Sequence, residues 1–509
     1  MNPETGPGPG FLARFRKDER GNTLMLMAAA LIPLAGMIGS GLDMSRAYMA
    51  KAKLQTACDA AALATRRFMG GTTLTSAARA EGEKFFYFNF PRGTMGTGNV
   101  TLSINAAATD VSEVEVRAST TVPTEIMKIF GKKDIPIDTE CNADQDYVNN
   151  DIMLVLDVTG SMYCNIGTAP GGSCPSSAGT NSRITKLRDA GVNLFKALEG
   201  ATGVRTRYGF MPYSVTVNVG KTAGFNRSWM RDPARYWRWV QVCTRYRSDG
   251  TCRESQSQLQ FTPVDHTNSW FNNTWGGCVE ERSTIGQSDS NNNPRIASAV
   301  SEADIDTVST TNDQLKWQPY DADADQAGSS GFCPRPAQKL TEYSSRSDFD
   351  TAFRSSLQTV GGNTYHDIGM TWGMRFLSTT GMFASENPDM WSVGGGPSTR
   401  VDKHIIFFTD GELQVSGSTY SAYGVDDRDD RMLGGGSQNS KHQAHFLAAC
   451  QTAREMGMTV WVIALDVNAL DKIRPCASGD DHFYVSDGTD LDEIFTLIGK
   501  GIGKLRITK

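Results

Sequence analysis

The run Asp157-Val158-Thr159-Gly160-Ser161 places one carboxylate and two hydroxyls inside a single turn, directly after the apolar segment Ile152 to Leu156. Two later loops offer matching chemistry: Gly361-Gly362-Asn363-Thr364, which precedes a helix starting near Ile368, and Thr409-Asp410-Gly411, which ends the apolar run Ile405 to Phe408. Asp157, Thr159, Ser161, Thr364 and Asp410 are hard oxygen donors, so a divalent cation of the Mg²⁺, Mn²⁺ or Ca²⁺ type, Mg²⁺ first, suits them better than zinc or copper. Two carboxylates leave such an ion with residual positive charge, ready to accept a carboxylate from outside. An isolated Asp-x-Thr-x-Ser is more often a helix cap; a preceding strand and two matching loops favour the metal.

Ligands of open α/β sheets gather beyond the carboxyl ends of the strands, and the chain from Asp151 onward has the alternation such a sheet needs. Ile152 to Leu156 is a buried-strand run, Ile184, Leu187, Leu194 and Leu198 have helical spacing, and Tyr208 to Val219 reads as strand. Phe349, Phe353 and Leu357 recur every four residues, Ile405 to Phe408 is strand, His442 to Met456 is helix, and Thr459 to Leu465 is strand. The expected class is α/β, a doubly wound, mostly parallel sheet covered by helices on both faces over residues 148–509. A weakly patterned stretch, about Lys221 to Ser344, interrupts the rhythm; with six of the nine tryptophans and four cysteines it is expected to be an ordered, disulfide-stapled insertion or lid. The Gly- and Ser-rich loops Tyr163 to Ser182 and Gly417 to Ser440 are surface excursions.

Thr23 to Leu42 is twenty residues without a charge, which as a helix spans about 30 Å and matches a bilayer core. Arg14, Arg16, Lys17 and Arg20 precede it, so residues 1–22 stay cytoplasmic and the chain after Asp43 is exported. The run is longer than a signal-peptide core, and Asp43, Arg46 and Lys51 stand where a small-residue cleavage site is needed, which favours an uncleaved anchor. Pro33 is placed to kink the span, and Gly36 and Ser40 have the small-residue spacing that packs a partner helix. Residues 43–147 follow as a helical stalk, Met44 to Arg67 up to Gly70 and Gly71, and a small β region with strands at Val100 to Ile104 and Val111 to Val116.

Ten cysteines without zinc-ribbon spacing imply disulfides and an oxidising compartment. Eight fall as sequence neighbours, Cys164 with Cys174, Cys243 with Cys252, Cys278 with Cys333 and Cys450 with Cys476, leaving Cys58 and Cys141 paired or free. The expected location is the bacterial inner membrane, single-pass, with the C-terminal bulk periplasmic or extracellular. A net charge of −6 with 21% charged residues gives no sign of nucleic-acid binding. The Arg-rich stretch Arg231 to Arg247, interleaved with Trp237, Trp239 and Tyr246, is best read as a solvated loop with cation–π contacts. Asp321, Asp323 and Asp325 alternate like the start of a calcium loop, but Gln326 holds its glycine position, which favours a solvated acidic turn. His442 and His445 share a helix face without a third ligand and read as surface residues. Neither His-Glu-x-x-His, Gly-x-Ser-x-Gly nor a Walker loop occurs, so no enzyme is expected.

The Asp-x-Thr-x-Ser turn with its later Thr and Asp resembles the metal-ion-dependent adhesion site of von Willebrand factor A domains, in which the hydroxyls contact the metal and the two aspartates reach it directly or through water. Arg20-Gly21-Asn22, the apolar span, Asp43 and the run Leu54 to Ala64 resemble TadG-like proteins of Tad/Flp pilus assembly, which join such an anchor to an A domain. Pilin-like relatives carry Glu five residues after the processed Gly; Leu26 stands there, so prepilin-type cleavage is not expected. The resemblance implies a metal-dependent protein-binding module for pilus assembly or surface adhesion, its partner presenting a carboxylate, with no catalytic role. The alternatives are a metal-dependent chaperone-like or sensory receptor without a pilus role and, last, a metal-dependent hydrolase.

Overall fold

The computed structural model describes residues 20–69, 74–106, 113–144, 149–169, 172–199, 204–290, 293–326, 331–392, 398–411, 413–467 and 470–503. Arg14, Arg16, Lys17, Gly70 and Gly71 lie outside the described residues. The described residues divide into two compact units, one up to residue 144 and one from residue 149 to residue 503.

The first unit is built on α1 (Arg20–Met69), a 50-residue helix that continues through Pro33. It holds the one stretch among the described residues long and apolar enough to cross a membrane. Met25, Leu26, Leu31, Ile38 and Leu42 are exposed along its first half, whereas Ala47, Ala50, Leu54, Ala57, Cys58 and Ala61 form a buried stripe along its second. That stripe packs with α2 (Ser76–Asn89) and a three-stranded antiparallel sheet, β1 (Thr101–Ala106), β2 (Glu113–Pro123) and β3 (Asp134–Asp144). In β2 the inward positions alternate as Val114, Val116, Ala118, Thr120 and Val122. Gly82 lets the helices touch: a Cβ there would lie 1.9 Å from Thr65 Oγ1. Cys58 is paired with Cys141, tying α1 to β3.

The small residues expected to receive a partner helix are covered within the chain. The Ser40 hydroxyl donates to the Gly36 carbonyl at 2.7 Å, and a Cβ on Gly39 would lie 2.2 Å from Ile126 Cγ2. The cause is Asp43, whose carboxylate accepts the backbone N–H groups of Glu125, Ile126 and Met127 at 2.8, 3.0 and 2.7 Å and so holds that loop on the helix.

The second unit contains β4 (Asn149–Asp157), α3 (Arg183–Ala190), α4 (Val192–Leu198), β5 (Thr206–Tyr213) and the hairpin β6 (Ala234–Tyr246) with β7 (Cys252–Val264). It continues with β8 (Gln338–Thr341), α5 (Arg346–Ser356), α6 (His366–Leu377), β9 (Ser398–Thr409), α7 (Gln438–Glu455), β10 (Met458–Leu465), β11 (Phe483–Ser486) and α8 (Leu491–Ile502). The main sheet runs β8-β5-β4-β9-β10-β11. The strands from β5 to β11 are parallel, and β8 closes one edge antiparallel. Strand alternation separates two cores. Met153, Val155, Ile405 and Phe407 face Ile368, Trp372, Phe446 and Ala449 of α6 and α7, while Ile152, Leu154, Leu156, Ile406 and Phe408 face Ile184, Leu194, Phe353 and Phe495 of α3, α4, α5 and α8. All nine residues of β4 are buried, as the central strand of a sheet covered on both sides must be.

Three expectations are corrected. The strand from Tyr208 ends at Tyr213, not Val219, because the Ser214 hydroxyl turns the chain away by bonding the Gly361 and Asn363 carbonyls. The insertion is not a lid: its Met230, Phe271, Trp275, Val279 and Trp317 belong to the core that contains Met153 and Val155, and its Glu281 receives both arms of Arg375 from α6 at 2.7 and 3.0 Å. The Arg-rich stretch is not a loop but largely strand β6 of a hairpin clasped by Cys243–Cys252; Trp239 and Tyr246 are exposed on it, whereas Arg231 before it is buried. The remaining cysteines pair as Cys164–Cys174, Cys278–Cys333 and Cys450–Cys476.

Cys450 on α7 and Cys476 beyond β10 are both fully buried and 26 residues apart. Peptide mapping without reduction is expected to recover the two peptides joined. Replacing both cysteines with Ala should lower the unfolding free energy by roughly 3.5 kcal/mol, the loop-closure value for that separation. Unchanged denaturant midpoints would reject a stabilising role for the bridge.

Candidate metal centre

Because β4 and β9 are parallel neighbours with Leu156 paired to Phe408, the Asp157 turn and the Thr409-Asp410 turn emerge side by side at the carboxyl edge of the sheet. Asp157 is fully buried. Its Oδ1 accepts the Thr159 N–H at 2.9 Å, and its Oδ2 accepts the hydroxyls of Thr409 at 2.9 Å and Tyr213 at 3.3 Å. The Ser161 hydroxyl donates to Asp410 Oδ1 at 2.9 Å and lies 3.0 Å from the Thr159 hydroxyl. With its single proton committed to Asp410, Ser161 is the acceptor in that second contact and Thr159 the donor. Four of the five expected residues are thus linked by hydrogen bonds, Thr159, Ser161 and Asp410 through their side-chain oxygens and Asp157 through the Thr159 N–H.

Thr364 is positioned through backbone. It exchanges two hydrogen bonds with Gln414, at 3.3 and 2.9 Å, and its loop is stitched to the Asp157 turn by Gly160 N–H to the Gly362 carbonyl at 3.0 Å and Gly361 N–H to the Val158 carbonyl at 2.9 Å. Gly362 is required there, with φ at 76° and a would-be Cβ 2.4 Å from Ser214 Oγ. The structure therefore brings the Thr364 loop beside the other residues without a side-chain bond that assigns it a ligand role.

Burial pushes the Asp157 carboxyl above its ordinary range, against the hydrogen bonds that lower it. Asp410 is pushed up to about 7 by burial and by the charge on Asp157. Part of this cost is offset by Arg183, whose Nη1 lies 3.2 Å from Asp410 Oδ2 and whose Nη2 lies 2.8 Å from Asp466 Oδ2. Behind Asp157, His366 Nε2 is 3.0 Å from the Thr409 hydroxyl. Burial depresses His366 to about 3, so the ring is neutral; since Thr409 gives its proton to Asp157, we assign the ring proton to Nε2, donating to Thr409. Sequence reasoning missed Tyr213, His366, Arg183 and Asp466. Only Thr409 carried a local signal, as the neighbour of Asp410.

The donor set is two carboxylates and hydroxyls, all hard oxygens, in a buried place where negative charge is already costly, and it suits a hard divalent cation. Among the described residues no group of three or more His, Cys, Asp or Glu is arranged to hold a metal, and the present group carries two carboxylates. The acidic run Asp321 to Asp325 forms a turn instead: Asp321 Oδ1 accepts the N–H groups of Asp323 and Ala324 at 3.1 Å each, and its Oδ2 meets His266 Nε2 at 2.9 Å. His442 and His445, expected at the surface, are buried. His442 Nδ1 meets Asp367 Oδ2 at 2.7 Å and its Nε2 lies 3.6 Å from Asp426 Oδ2, while His445 Nδ1 meets the Ala297 carbonyl at 2.9 Å.

Residues 21–67 match the family model described as putative Flp pilus-assembly TadE/G-like. No curated protein matches the chain significantly. Similar solved structures include the pilus adhesin SpaC from Lactobacillus rhamnosus GG, at 12% identity over 80% of this chain and 34% of that one, with a TM-score of 0.33. The vWF domain of the type V pili tip protein Mfa5 from Porphyromonas gingivalis matches at 12% identity over 71% of this chain and 99% of that one, with a TM-score of 0.29. The PilB minor pilin from Streptococcus sanguinis matches at 12% identity over 80% of this chain and 78% of that one, with a TM-score of 0.32. The chain spans about a third of the length of SpaC, and likenesses this distant carry no assignment. The class is an α/β protein with a long apolar N-terminal helix and several disulfides. Its N-terminal segment is of the Tad pilus-assembly TadE/G-like type.

The His442–Asp367 pair sets a pH dependence. Burial alone would lower His442, but Asp367 and Asp426 raise it from 6.5 to about 9, and Asp367 is held below its ordinary value by His442. The histidine contribution is fully present below pH 6.5 and is lost as pH rises through about 9. The Asp367 contribution is present above its unfolded value and lost as pH falls. Unfolding free energy should therefore drop by on the order of 3 kcal/mol between pH 6.5 and the region above 9. Denaturant titrations across that range should show the slope in the wild type and lose it in His442→Gln; a wild-type profile as flat as the variant's would remove the pair from the account.

Proposed function

We propose that this is a membrane-anchored extracytoplasmic protein of Tad/Flp pilus assembly or surface adhesion, whose C-terminal unit is a von Willebrand factor A-type domain that binds a protein partner through a divalent cation. The observation that carries the reading is the hydrogen-bonded group Asp157, Thr159, Ser161 and Asp410, Asp157 joined through the Thr159 N–H, at the carboxyl ends of adjacent parallel strands. The Tad-type match over residues 21–67 and the apolar first half of α1 support the anchor and the pilus context.

Thr159, Ser161, Asp157 and Asp410 would hold the ion, Mg²⁺ first, with Thr364 brought in by its loop. The cation would supply a positive point toward which a partner's carboxylate is drawn, and the partner is a pilus or secretion component that presents one. Arg183 keeps Asp410 turned toward the group, and His366 keeps the Thr409 hydroxyl donating to Asp157. No catalytic step is assigned to these residues, and the protein is read as a binder, not an enzyme. The export of everything beyond Asp43 across the bacterial inner membrane follows from the same reading.

Asp157→Ala would strip an acceptor from three donors and cost about 1–3 kcal/mol of stability, so Asp157→Asn, which keeps one acceptor oxygen, is the cleaner test. Calorimetry on the purified chain should show the wild type binding Mg²⁺ or Mn²⁺ and the variant binding at least tenfold more weakly at unchanged secondary structure. Wild type that binds neither ion, or a variant that binds as tightly, would return Asp157 to the role of a turn-forming residue.

A reporter enzyme fused after Lys509 should be active only outside the cytoplasm. Cytoplasmic activity would defeat both the anchor orientation and the use of disulfides.

A further inference from the structure

The short turn Met127–Phe130 leaves two large apolar side chains in the open, Ile129 at 75% and Phe130 at 54% exposure. Its place on α1 says what covers them. Asp43 stands one residue beyond the apolar run Thr23 to Leu42 and grips the N–H groups of Glu125, Ile126 and Met127. From that grip the chain turns back along the helix toward its N-terminal end. Ile126 lies over Gly39, and the Phe130 ring lies over Gly36, where a Cβ would come within 3.2 Å of it. Gly36 precedes Asp43 by seven residues, about 10 Å along the helix axis. A side chain lying against Gly36 is therefore level with the hydrocarbon if Thr23 to Leu42 crosses the bilayer.

We propose that the turn Ile126 to Phe130 is a wedge inserted into the membrane leaflet through which α1 emerges, with Ile129 and Phe130 among the acyl chains and Lys128, Lys132 and Lys133 at the phosphates of anionic phospholipids. This rests on the reading of Thr23 to Leu42 as the membrane span. Six N–H groups of the turn and its flanks are already paired, which lowers the cost of bringing irregular backbone to hydrocarbon. Besides the three N–H groups on Asp43, Ile129 N–H bonds the Ile126 carbonyl, Gly131 N–H the Lys128 carbonyl and Lys132 N–H the Met127 carbonyl, each at 3.1 Å. The three lysines are exposed around the turn; Lys128 Nζ lies 2.9 Å from Glu125 Oε2, a partner it would exchange for phosphate, and the long stems let the ammonium groups reach headgroup level. The wedge also accounts for the glycines: a larger residue at Gly39 or Gly36 would push Ile126 or Phe130 off the helix.

The test uses the full chain in nanodiscs of phosphatidylethanolamine and phosphatidylglycerol, with photoreactive p-benzoylphenylalanine installed singly in place of Ile129, Phe130, Leu34 or Phe88. Leu34 lies within the span, and Phe88 is an exposed residue of α2, whose Gly82 packs on Thr65 far beyond Asp43. Lipid adducts are expected from positions 129, 130 and 34 and not from 88. Adducts from 34 alone, or adducts from 129 and 130 to a second protein chain, overturn the wedge and leave the anchor standing; absence of lipid adducts from 34 overturns both. Replacing Lys128, Lys132 and Lys133 together with Gln should reduce the phosphatidylglycerol share of the adducts at least twofold, and an unchanged share overturns the assignment of the lysines.

Discussion

Two carboxylates, Asp157 and Asp410, sit fully or almost fully out of water at the ends of neighbouring parallel strands. Buried like charges at close range are costly unless hydrogen-bonded and compensated, and the surroundings of this edge are organised by that cost. Asp157 is given two hydroxyls and a backbone N–H; Asp410 is given one hydroxyl and a guanidinium. The donors come from β5, β9, the Asp157 turn and the start of α3, so the carboxylates hold these elements together as much as the elements hold them.

The first turn of α6 links this edge to the rest of the second unit. His366 reaches Thr409 behind Asp157, while the next residue, Asp367, reaches His442 on α7. At the other end of the same helix Arg375 is clamped by Glu281 of the insertion. The insertion therefore fixes the helix that orients the site, which explains its aromatic content better than a covering role does. Its Trp317 lies 5.1 Å, ring centre to ring centre, from Trp372 of α6.

In the first unit one carboxylate plays an equivalent part. Asp43 gathers three N–H groups and sets the direction of the loop that follows β2, while Cys58–Cys141 and the Gly82 contact fix the helix to the sheet and to α2. A single polar residue at the end of an apolar run thus decides where the connection between β2 and β3 lies.

The sequence by itself determined what depends on neighbours in the chain. The strand and helix periods of the second unit, the apolar span, the Ala-rich helix to Met69 and the oxygen-bearing turns at Asp157 and Asp410 were all legible, because period and turn chemistry are local properties. Neighbouring positions made four cysteine pairs candidates without fixing their connectivity, which the folded chain decides, as it does for the fifth, Cys58–Cys141, closing 83 residues. Tertiary structure alone decided the rest. Thr409 meets Asp157 across 252 residues and Arg183 meets Asp410 across 227, contacts set by the register of β4 against β9 and by the placement of α3. Burial of His442 and His445, the end of β5 at Tyr213 and the covering of Gly36 and Gly39 have the same origin. A residue's period tells which face it occupies, but only the packing of another element on that face tells what it touches.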